Sequence, residues 1–280
     1  MENELTAFIK NALREDIGSG DYSSLSCIPS QAKGRAKLIV KESGIIAGIR
    51  IAKAILNEVD NDIEFKQFIN DGNPVKPQVI AFEISGKSQA ILKAERLLLN
   101  VMQRMSGIAT QTARYVEKLK GTKAKILDTR KTTPGMRFLE KEAVRLGGGI
   151  NHRMGLYDMI MLKDNHIDFA GGIEPAIKKT NQFLKDNILN LKIEIECRNL
   201  DELEQILTAG NIDRIMLDNF TPEATRQAIK LINHRYETES SGGIVYENIR
   251  DYALCGVDFI SVGALTHHIN SLDMSLKAIK

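Results

Sequence analysis

Charged, polar and glycine residues close six apolar runs of this sequence between residues 124 and 265. The runs and their closing residues are AKILDTRK with Arg130 and Lys131, YDMIMLKDNH with Lys163, LKIEIE with Glu196, DRIMLDN with Asp218, YETESSGGI with Ser241, and DFISVGALTH with Gly263 and His267. Short buried strands that deliver a reactive residue at the carboxyl end are how parallel α/β barrels build active sites. Two acids among several bases predict a site for ligands rich in phosphate and carboxylate, together with a metal ion.

The densest basic cluster is DTRKTTPGMR at residues 128–137. Arg130 can hold a carboxylate or a phosphate through two parallel hydrogen bonds, whereas the Lys131 ammonium supplies a compact charge. The same residues could form a solvated basic turn. Their position directly after a buried strand favours an anion site.

A second basic cluster, GGGINHRMGLYD at residues 147–158, places three glycines before His152 and Arg153. Glycine allows the backbone to approach a ligand closely. A lone His-Arg pair is more often part of an ordinary surface, but the glycines and the next basic strand end favour a functional role. Lys163 follows an apolar strand, where a lysine is usually paired or functional.

Glu196 and Asp218 end successive strands, so we expect them to be neighbours at the mouth of a barrel. Two carboxylates together with substrate phosphates and water are what Mg²⁺ prefers. The alternative is that each carboxylate pairs with a nearby lysine or arginine. Both roles could alternate as substrate enters.

Two glycine turns follow the last two strands, namely Ser241-Gly242-Gly243 and Val262-Gly263-Ala264. Turns in these positions commonly present backbone amides to a phosphate. Glycine turns also commonly connect strands and helices without binding a ligand. His267 lies just beyond the second turn, where it could reach a phosphate or cap a helix.

These residues need a scaffold that brings the ends of several strands to one rim. From residue 124 the sequence alternates strand, loop and helix, which is typical of parallel α/β folds. An eight-stranded barrel takes about 250 residues and this region has roughly 140, so we expect an incomplete parallel α/β barrel of six or seven strands.

The earlier part of the chain mixes strands and helices without this alternation, which predicts an N-terminal α+β sandwich domain. We expect this domain at residues 1–107, since residues 88–118 have a helical pattern with a break at Ser106-Gly107. The catalytic barrel is then expected at residues 108–267. Residues 268–280 are expected to form a helix that packs on the first domain.

Composition excludes several classes of function. A formal net charge of +2 argues against nucleic-acid binding through a general basic surface. No apolar run approaches the ~18 residues that a membrane span needs.

Cys27, Cys197 and Cys255 fit neither a disulfide framework nor a zinc spacing, and we expect Cys197 to be a packing residue. With an N-terminus unlike a signal peptide, the expected compartment is the cytoplasm.

Several motifs, in order and through nearly the whole chain, resemble those of the quinolinate phosphoribosyltransferase family. They are EDIGSGDYSS, NVMQRMSGIAT, ILDTRKTTPGMR, GGGINHRMGLYDMIMLKDNH, IEIE, IMLDNF, SSGGI and ISVGALTH. The sequence departs from the family pattern in the loop DGNPVKPQ (71–78), where glycine is expected near Pro77-Gln78. His268, directly after His267, is a second local departure.

The resemblance implies a homodimer in which Arg104 reaches into the active site of the partner. Assembly of such dimers into a hexamer stays open as an alternative. The resemblance also implies binding of the quinolinate carboxylates by Arg130, His152, Arg153 and Lys163. The residues that it implies for phosphoribosyl pyrophosphate and Mg²⁺ are Lys131, Glu196, Asp218, Ser241, Gly242, Gly243, Val262, Gly263, Ala264 and His267. Thr129 is a further expected substrate-binding residue. Lys131, Glu196 and Asp218 are the expected catalytic residues, and Glu196 and Asp218 the expected metal ligands.

The implied activity converts quinolinate and phosphoribosyl pyrophosphate into nicotinate mononucleotide, pyrophosphate and CO2, within NAD biosynthesis. Three alternatives stay open. One is a related barrel paralogue associated with molybdate transport, and another is a salvage transferase that uses nicotinate. The third is a non-catalytic phosphosugar-binding protein, which predicts loss of the metal carboxylates, although Glu196 and Asp218 are both present.

Overall fold

The computed structural model describes residues 2–279. Its helices are α1 (Glu2–Ile17), α2 (Tyr22–Cys27), α3 (Ile49–Val59), α4 (Ser88–Lys118), α5 (Arg137–Leu146), α6 (Asp164–Ala170), α7 (Ile173–Asp186), α8 (Leu200–Ala209), α9 (Pro222–Ile232), α10 (Ile249–Ala253) and α11 (Ala264–His267). Its strands are β1 (Lys33–Val40), β2 (Gly44–Ile45), β3 (Glu64–Gln67), β4 (Pro74–Val75), β5 (Ile80–Lys87), β6 (Lys125–Leu127), β7 (Ile160–Leu162), β8 (Ile193–Cys197), β9 (Arg214–Asp218), β10 (Glu237–Ser241), β11 (Phe259–Ser261) and β12 (Met274–Ile279). Over the described residues, no helix combines the length and the apolar character needed to cross a membrane.

Contacts within the chain divide it into two compact units. The first comprises the residues up to Ala113, Thr133–Gly148 and the residues from His268 onward, and the second comprises Arg114–Thr132 and Gly149–His267. This division differs from the expected limits of 1–107 and 108–267. One reason is that α5 belongs to the first unit, where Phe138 packs edge-on against Phe8 with ring centroids 5.9 Å apart.

An antiparallel sheet in the order β12-β1-β5-β3 lies at the centre of the first unit, beside a short pair formed by β2 and β4. Across the β1–β5 pair, Leu38 lies opposite Phe82 and Ala36 opposite Ile84, and all four side chains are buried. Successive strand residues point to opposite faces, so this spacing gives the sheet one apolar face. The expected N-terminal domain of strands and helices is confirmed.

The C-terminal segment is a strand, so the helix expected over residues 268–280 is wrong. β12 pairs antiparallel with β1, and Leu276 lies opposite Leu38. Met274 and Leu276 are buried at period two, which fits a strand in a segment too short for periodicity to exclude a helix. Pairing with the open edge of β1 decides the outcome, because an unpaired edge leaves backbone groups without partners.

α4 continues through Ser106 and Gly107, where the sequence predicts a break. A Cβ at Gly107 would collide with the backbone of Asn270. Ser106 is buried, and its hydroxyl accepts the N–H of Ala47 at 2.8 Å. The Ser-Gly pair therefore allows neighbouring segments to pack closely on an intact helix.

Six parallel strands form the sheet of the second unit, in the order β6-β11-β10-β9-β8-β7. β6 lies beside β11, so the first and last strands of the unit are neighbours, as in a barrel. Ile150 adds a single parallel bridge to Leu127 of β6. Among the described residues no ladder joins β7 to the segment at Ile150, and the expected incomplete α/β barrel is confirmed.

The two faces of this parallel sheet differ in chemistry. One face contributes apolar side chains to a hydrophobic core of the unit, among them Ile195, Ile215 and Leu217. Strand alternation and register place a different set on the opposite, interior face, comprising Glu194, Glu196, Arg214, Met216, Asp218, Glu239 and Ser241. The strands thus deliver charge to the interior and, at their carboxyl ends, to the rim.

Gln78 has a left-handed backbone, with a φ of 72°, at the position where the family pattern predicts glycine. Its side chain is exposed, while its N–H donates to the oxygen of Val40 at 2.8 Å. Left-handed backbone costs a residue with a Cβ about 1 kcal/mol. We therefore expect Gln78→Gly to raise the free energy of unfolding by up to about 1 kcal/mol, measured by urea denaturation.

Lys76→Gly is the matched control, because Lys76 is exposed in the same loop and has no positive φ. It should lower stability through the added freedom of the unfolded chain. Equal destabilisation by the two glycines would contradict the strain assigned to Gln78.

Candidate active site

The loops after β6 and β11 meet at Lys131. The Thr266 hydroxyl donates a hydrogen bond to the backbone oxygen of Lys131 at 2.8 Å, and the Lys131 N–H donates to Oγ1 of Thr129 at 3.0 Å. A Cβ on Gly263 would lie 3.0 Å from both Cδ of Lys131 and Nε2 of His267. The structure therefore brings Lys131, Gly263 and His267 together, and glycine makes the close approach possible.

Lys163 and Glu196 form an ion pair at the ends of β7 and β8. The Lys163 side chain is 44% exposed and that of Glu196 only 11%. The pairing that the sequence left open as an alternative for Glu196 is therefore present. A cation that binds Glu196, or an anion that binds Lys163, has to compete with this contact.

Asp218 lies opposite Ser241 in the register between β9 and β10. The Asn219 side-chain amide donates to Oδ2 of Asp218 at 2.6 Å, and the Asn219 N–H donates to the oxygen of Ser241 at 2.9 Å. Asn219 has a φ of 57°, a left-handed conformation that asparagine tolerates. A Cβ on Gly242 would collide with the Asn219 side chain, so this turn needs glycine.

Arg130 and Arg153 lie within electrostatic reach of each other. Burial first, and then the positive charge of Arg130, lower the pKa of Arg153. The Arg153 guanidinium also donates to the backbone oxygen of Met159 at 3.2 Å. The charges of Glu194, Asp158 and Glu196 act on Arg153 in the opposite direction. Arginine stays cationic in spite of such a shift, so the two side chains offer positive charge to a bound anion.

His152 is buried and held from several sides. Its N–H donates to Oδ1 of Asp128 at 2.8 Å, and the amide of Asn151 donates to Oδ2 of the same carboxylate at 2.6 Å. The N–H of Arg153 donates to Nδ1 of the His152 ring at 2.7 Å. The fully buried Asp128, at the end of β6, thus anchors the backbone of the second basic cluster.

Two buried glutamates of the barrel interior face the other side of the His152 ring. Nε2 of His152 lies 3.0 Å from Oε2 of Glu194 and 3.5 Å from Oε2 of Glu239. Arg214 completes the cluster, with Nη1 3.1 Å from Oε2 of Glu239.

Proton positions in this cluster follow from the neighbours. Burial lowers the pKa of His152, but Glu194 and Glu239 outweigh it and raise that pKa to about 9. Burial and the charge of Glu239 raise the pKa of Glu194 to about 7. A pKa near 9 would place a second proton on the ring at neutral pH, but the Arg153 N–H that points at Nδ1 leaves no room for it. We therefore place one ring proton on Nε2 and assign the further proton of the cluster to Glu194.

Arg104 belongs to the first unit, in α4. Its guanidinium makes an ion pair with Oε1 of the fully buried Glu140 at 2.7 Å and donates to the Thr133 hydroxyl at 2.8 Å. The Thr133 N–H donates in turn to Oε2 of Glu140 at 3.2 Å. The carboxylate thereby fixes the direction of the arginine, whose side chain stays 27% exposed.

The sequence analysis missed Glu194 and Glu239 in the barrel interior. It also missed Asp128, Glu140 and Asn219. Glu194 stands two residues before Glu196 in IEIE, so strand alternation puts both on one face, and this spacing was an available signal. Cys197 is fully buried, and burial raises the pKa of its thiol to about 12, in keeping with a packing role.

The rim combines anion-binding and cation-binding chemistry. Arg130, Lys131, Arg153 and Lys163 can neutralise carboxylates and phosphates through charged hydrogen bonds. Glu196 and Asp218, on neighbouring strands and the same face of the sheet, fit an oxygen-preferring divalent ion that keeps water and substrate oxygens as its other ligands. The arrangement suits a reaction between two anionic substrates beside a divalent ion.

Two family profiles cover the chain almost from end to end. Residues 21–106 match "Quinolinate phosphoribosyl transferase, N-terminal domain", and residues 108–277 match "Quinolinate phosphoribosyl transferase, C-terminal domain".

Individual relatives agree with these profiles. The "Quinolinate phosphoribosyltransferase [decarboxylating] 2b, mitochondrial" of Nicotiana tabacum is 42% identical over 98% of this chain and 82% of its own length. The "Probable nicotinate-nucleotide pyrophosphorylase [carboxylating]" of Bacillus subtilis is 42% identical over 98% of this chain and 93% of its own. The crystal structure of NadC from Streptococcus pyogenes superposes with a TM-score of 0.94 at 38% identity, covering 100% of this chain and 99% of that chain.

Asn219→Ala should weaken divalent-ion binding, because Asp218 loses the amide that orients it. Loss of such an outer partner typically lowers metal affinity about tenfold. Binding of Mn²⁺, followed by electron paramagnetic resonance as a substitute for Mg²⁺, measures the effect. Asn233→Ala is the control, since Asn233 has a similar φ of 47° at the end of α9 and is not part of the rim. Equal Mn²⁺ affinity in wild type and Asn219→Ala would contradict the assigned role.

Proposed function

The chain belongs to the quinolinate phosphoribosyltransferase family, and from that premise we propose that it transfers the phosphoribosyl group of phosphoribosyl pyrophosphate to the ring nitrogen of quinolinate. The products are nicotinate mononucleotide, pyrophosphate and CO2. The observation that carries the proposal is the gathering of positive charge at one rim, where Arg130 lies close enough to Arg153 to lower its pKa and Lys163 follows the next strand, β7. A dicarboxylate presents its negative charge in the form that arginine binds best.

We assign the two quinolinate carboxylates to Arg130, Arg153 and Lys163. His152 supports this set through the N–H of Arg153, which its Nδ1 accepts. The sugar donor carries a phosphate and a pyrophosphate. Lys131, His267 and the exposed backbone amides of the two glycine turns suit these groups. In the first turn, Gly242 and Gly243 have φ values of 85° and 61°. Lys131 and His267 lie together beside Gly263 of the second turn, which supports one shared phosphate subsite.

These residues supply position and charge. Holding both substrates in place turns a bimolecular reaction into an effectively unimolecular one. The cationic rim stabilises the negative charge that grows on departing pyrophosphate as the anomeric carbon gains oxocarbenium character. After the pyridine nitrogen has attacked, the ring nitrogen is cationic. Its charge stabilises the carbanion left at the adjacent ring carbon when CO2 departs, and that carbon then takes a proton from solvent. The chain therefore needs no decarboxylating cofactor.

We propose Glu196 and Asp218 as the protein ligands of Mg²⁺. When bound, Mg²⁺ supplies charge neutralisation on the pyrophosphate oxygens. The ion pair between Lys163 and Glu196 supports a coupled arrangement, because Glu196 can exchange the ammonium for the metal while Lys163 turns to a carboxylate. Asn219 keeps Asp218 in position for the same ion.

The alternatives predict different sites. A salvage enzyme for nicotinate needs a clamp for one carboxylate, whereas this rim offers Arg130, Arg153 and Lys163. A non-catalytic phosphosugar-binding protein has no need for Glu196 and Asp218. Full retention of DTRKTTPG with His152 and Arg153 favours the decarboxylating enzyme over the paralogue associated with molybdate transport.

The test is release of labelled CO2 from quinolinate that carries the label in its 2-carboxylate. Purified protein should release CO2 only when phosphoribosyl pyrophosphate and Mg²⁺ are both present, because the ring becomes an electron sink only after ribosylation. Omission of the donor is the control for chemical decarboxylation. No CO2 above that control, from folded protein, would reject the proposed activity.

We also propose a homodimer in which Arg104 serves the active site of the partner. The buried Glu140 supports this role, because it holds Arg104 in a fixed direction while leaving the guanidinium partly exposed. Three free cysteines, two of them buried, suit the reducing cytoplasm that we propose as the compartment.

Mixing two inactive variants tests the shared site. Arg104→Ala keeps an intact barrel, and Lys131→Ala keeps an intact Arg104, so a heterodimer rebuilds one complete site out of two. After subunit exchange, half of the dimers are heterodimers, and activity should recover to about one quarter of wild type. Lys131→Ala mixed with Glu196→Ala is the control, since both changes lie in the barrel unit and no rescue is expected. No recovery with Arg104→Ala, when exchange is verified, would count against the shared site.

A further inference from the structure

Glu194 and Glu239 are two fully buried carboxylates that the proposed reaction does not use. Both have 0% exposure, and among the described residues neither oxygen of Glu194 has a hydrogen-bond donor, nor does Oε1 of Glu239. Buried carboxylates are costly unless they are paired, and strand positions of this kind accept valine or isoleucine without that cost. A function that requires these charges is therefore the simplest explanation of their presence.

The two carboxylates converge on His152. Their Oε2 atoms lie 3.0 and 3.5 Å from Nε2 of the ring, whose other nitrogen, Nδ1, accepts the N–H of Arg153 at 2.7 Å. Because Nδ1 accepts, the neutral ring carries its proton on Nε2, where the carboxylates can receive it. The ring thus connects the charged barrel interior to the backbone of Arg153.

Arg214 holds the cluster from below. It contacts Oε2 of Glu239 at 3.1 Å and Oε2 of Glu237 at 3.0 Å, and its guanidinium stacks 4.1 Å from the Phe259 ring centroid. Its positive charge balances part of the buried negative charge and fixes Glu239 at the distance from which it faces His152. All of these groups lie on the rigid strands β8 to β11, a setting suited to precise positioning.

We propose that Glu194 and Glu239 are positioning residues for carboxylate recognition, acting through His152. They hold the ring so that Nδ1 fixes the Arg153 backbone, and this sets the place from which the Arg153 guanidinium binds a carboxylate of the substrate. The inference rests on the proposed function in taking quinolinate as the ligand of Arg153. It goes beyond that function by giving Glu194 and Glu239 a role in substrate binding, through contacts that run from the barrel interior by way of His152 to Arg153.

The same three side chains could be read as a cation site, since one ligand atom of each lies within 4.8 Å of the others. Two observations disfavour this interpretation. A metal-bound histidine normally donates through its second nitrogen, whereas Nδ1 of His152 accepts. Arg214 already supplies a positive charge to Glu239. Elemental analysis is therefore part of the test.

The variants are Glu239→Gln and Glu194→Gln, which keep side-chain volume and remove charge. Each should raise the Kd for quinolinate about tenfold, as expected for losing a buried charged contact with the ring. The Kd for pyrophosphate with Mg²⁺ should change less than about twofold, because Lys131 and His267 do not depend on the ring. Isothermal titration calorimetry measures both constants without turnover.

Repeating both changes in a His152→Asn background separates positioning from general structural damage. Asparagine keeps an acceptor near Nδ1 and removes the group that faces the glutamates. If the glutamates act through the ring, each change should then alter the quinolinate Kd by less than about twofold. An undiminished tenfold effect in that background would show that the glutamates act by another route.

Glu237→Gln is the matched control, because Glu237 also pairs with Arg214, from the same strand, but has no contact with His152 among those described. It should leave the quinolinate Kd unchanged. An equal loss in Glu237→Gln, an equal loss of pyrophosphate binding in Glu239→Gln, or a stoichiometric metal ion that Glu239→Gln removes would each overturn the proposal.

A measurement on the wild type keeps the inference testable if a variant fails to fold. Nitrogen-15 NMR of the His152 ring should show a neutral imidazole protonated on Nε2 at neutral pH. A ring protonated on Nδ1 would overturn the contact chain. This experiment needs no substrate, so its result does not depend on the CO2 assay. Failure of the CO2 assay would reject the proposed function but not the contacts of the His152 ring.

Discussion

The rest of this site depends on positive charges that the barrel holds close together at its rim. Burial of Arg153 and the positive charge of Arg130 beside it both lower the Arg153 pKa, so the scaffold sets these two arginines near each other. A flexible scaffold would let them separate into water. Six parallel strands, packed on their outer face by an apolar core, hold them in place instead. A dicarboxylate then binds to a site that is already organised for it, with little ordering left to do.

The opposite sign of charge lies one layer deeper. The interior face of the sheet buries Glu194 and Glu239 beside Arg214, and the His152 ring joins this layer to the rim. Charge in the barrel therefore lies in layers, with Glu194 and Glu239 in the interior, cations at the rim, and the carboxylates of Glu196 and Asp218 at the strand ends. Catalysis by position and charge needs such an arrangement, since preorganised charges cost no reorganisation during reaction.

The rim could be predicted from the sequence because apolar strands and their end residues follow one simple rule of parallel sheets. Lys163, Glu196 and Asp218 lie at their expected strand ends for that reason. Local sequence patterns do not predict secondary structure correctly where contacts with residues distant in sequence determine it. β12 is a strand because the edge of β1 is open, and α4 continues through Gly107 because Asn270 packs there. The interior acids escaped attention because a buried Glu194 resembles any polar residue of an alternating strand until its partner His152 is placed beside it.

The central claim is that the rim is built for two carboxylates rather than one. Calorimetric titration of the wild type with quinolinate and with nicotinate, under the same conditions, tests it directly. Since a hydrogen-bonded charge pair contributes tenfold or more, we predict that quinolinate binds at least about tenfold more tightly than nicotinate. Equal affinity for the two acids would contradict the account, because it would mean that no cationic side chain of the rim binds the second carboxylate.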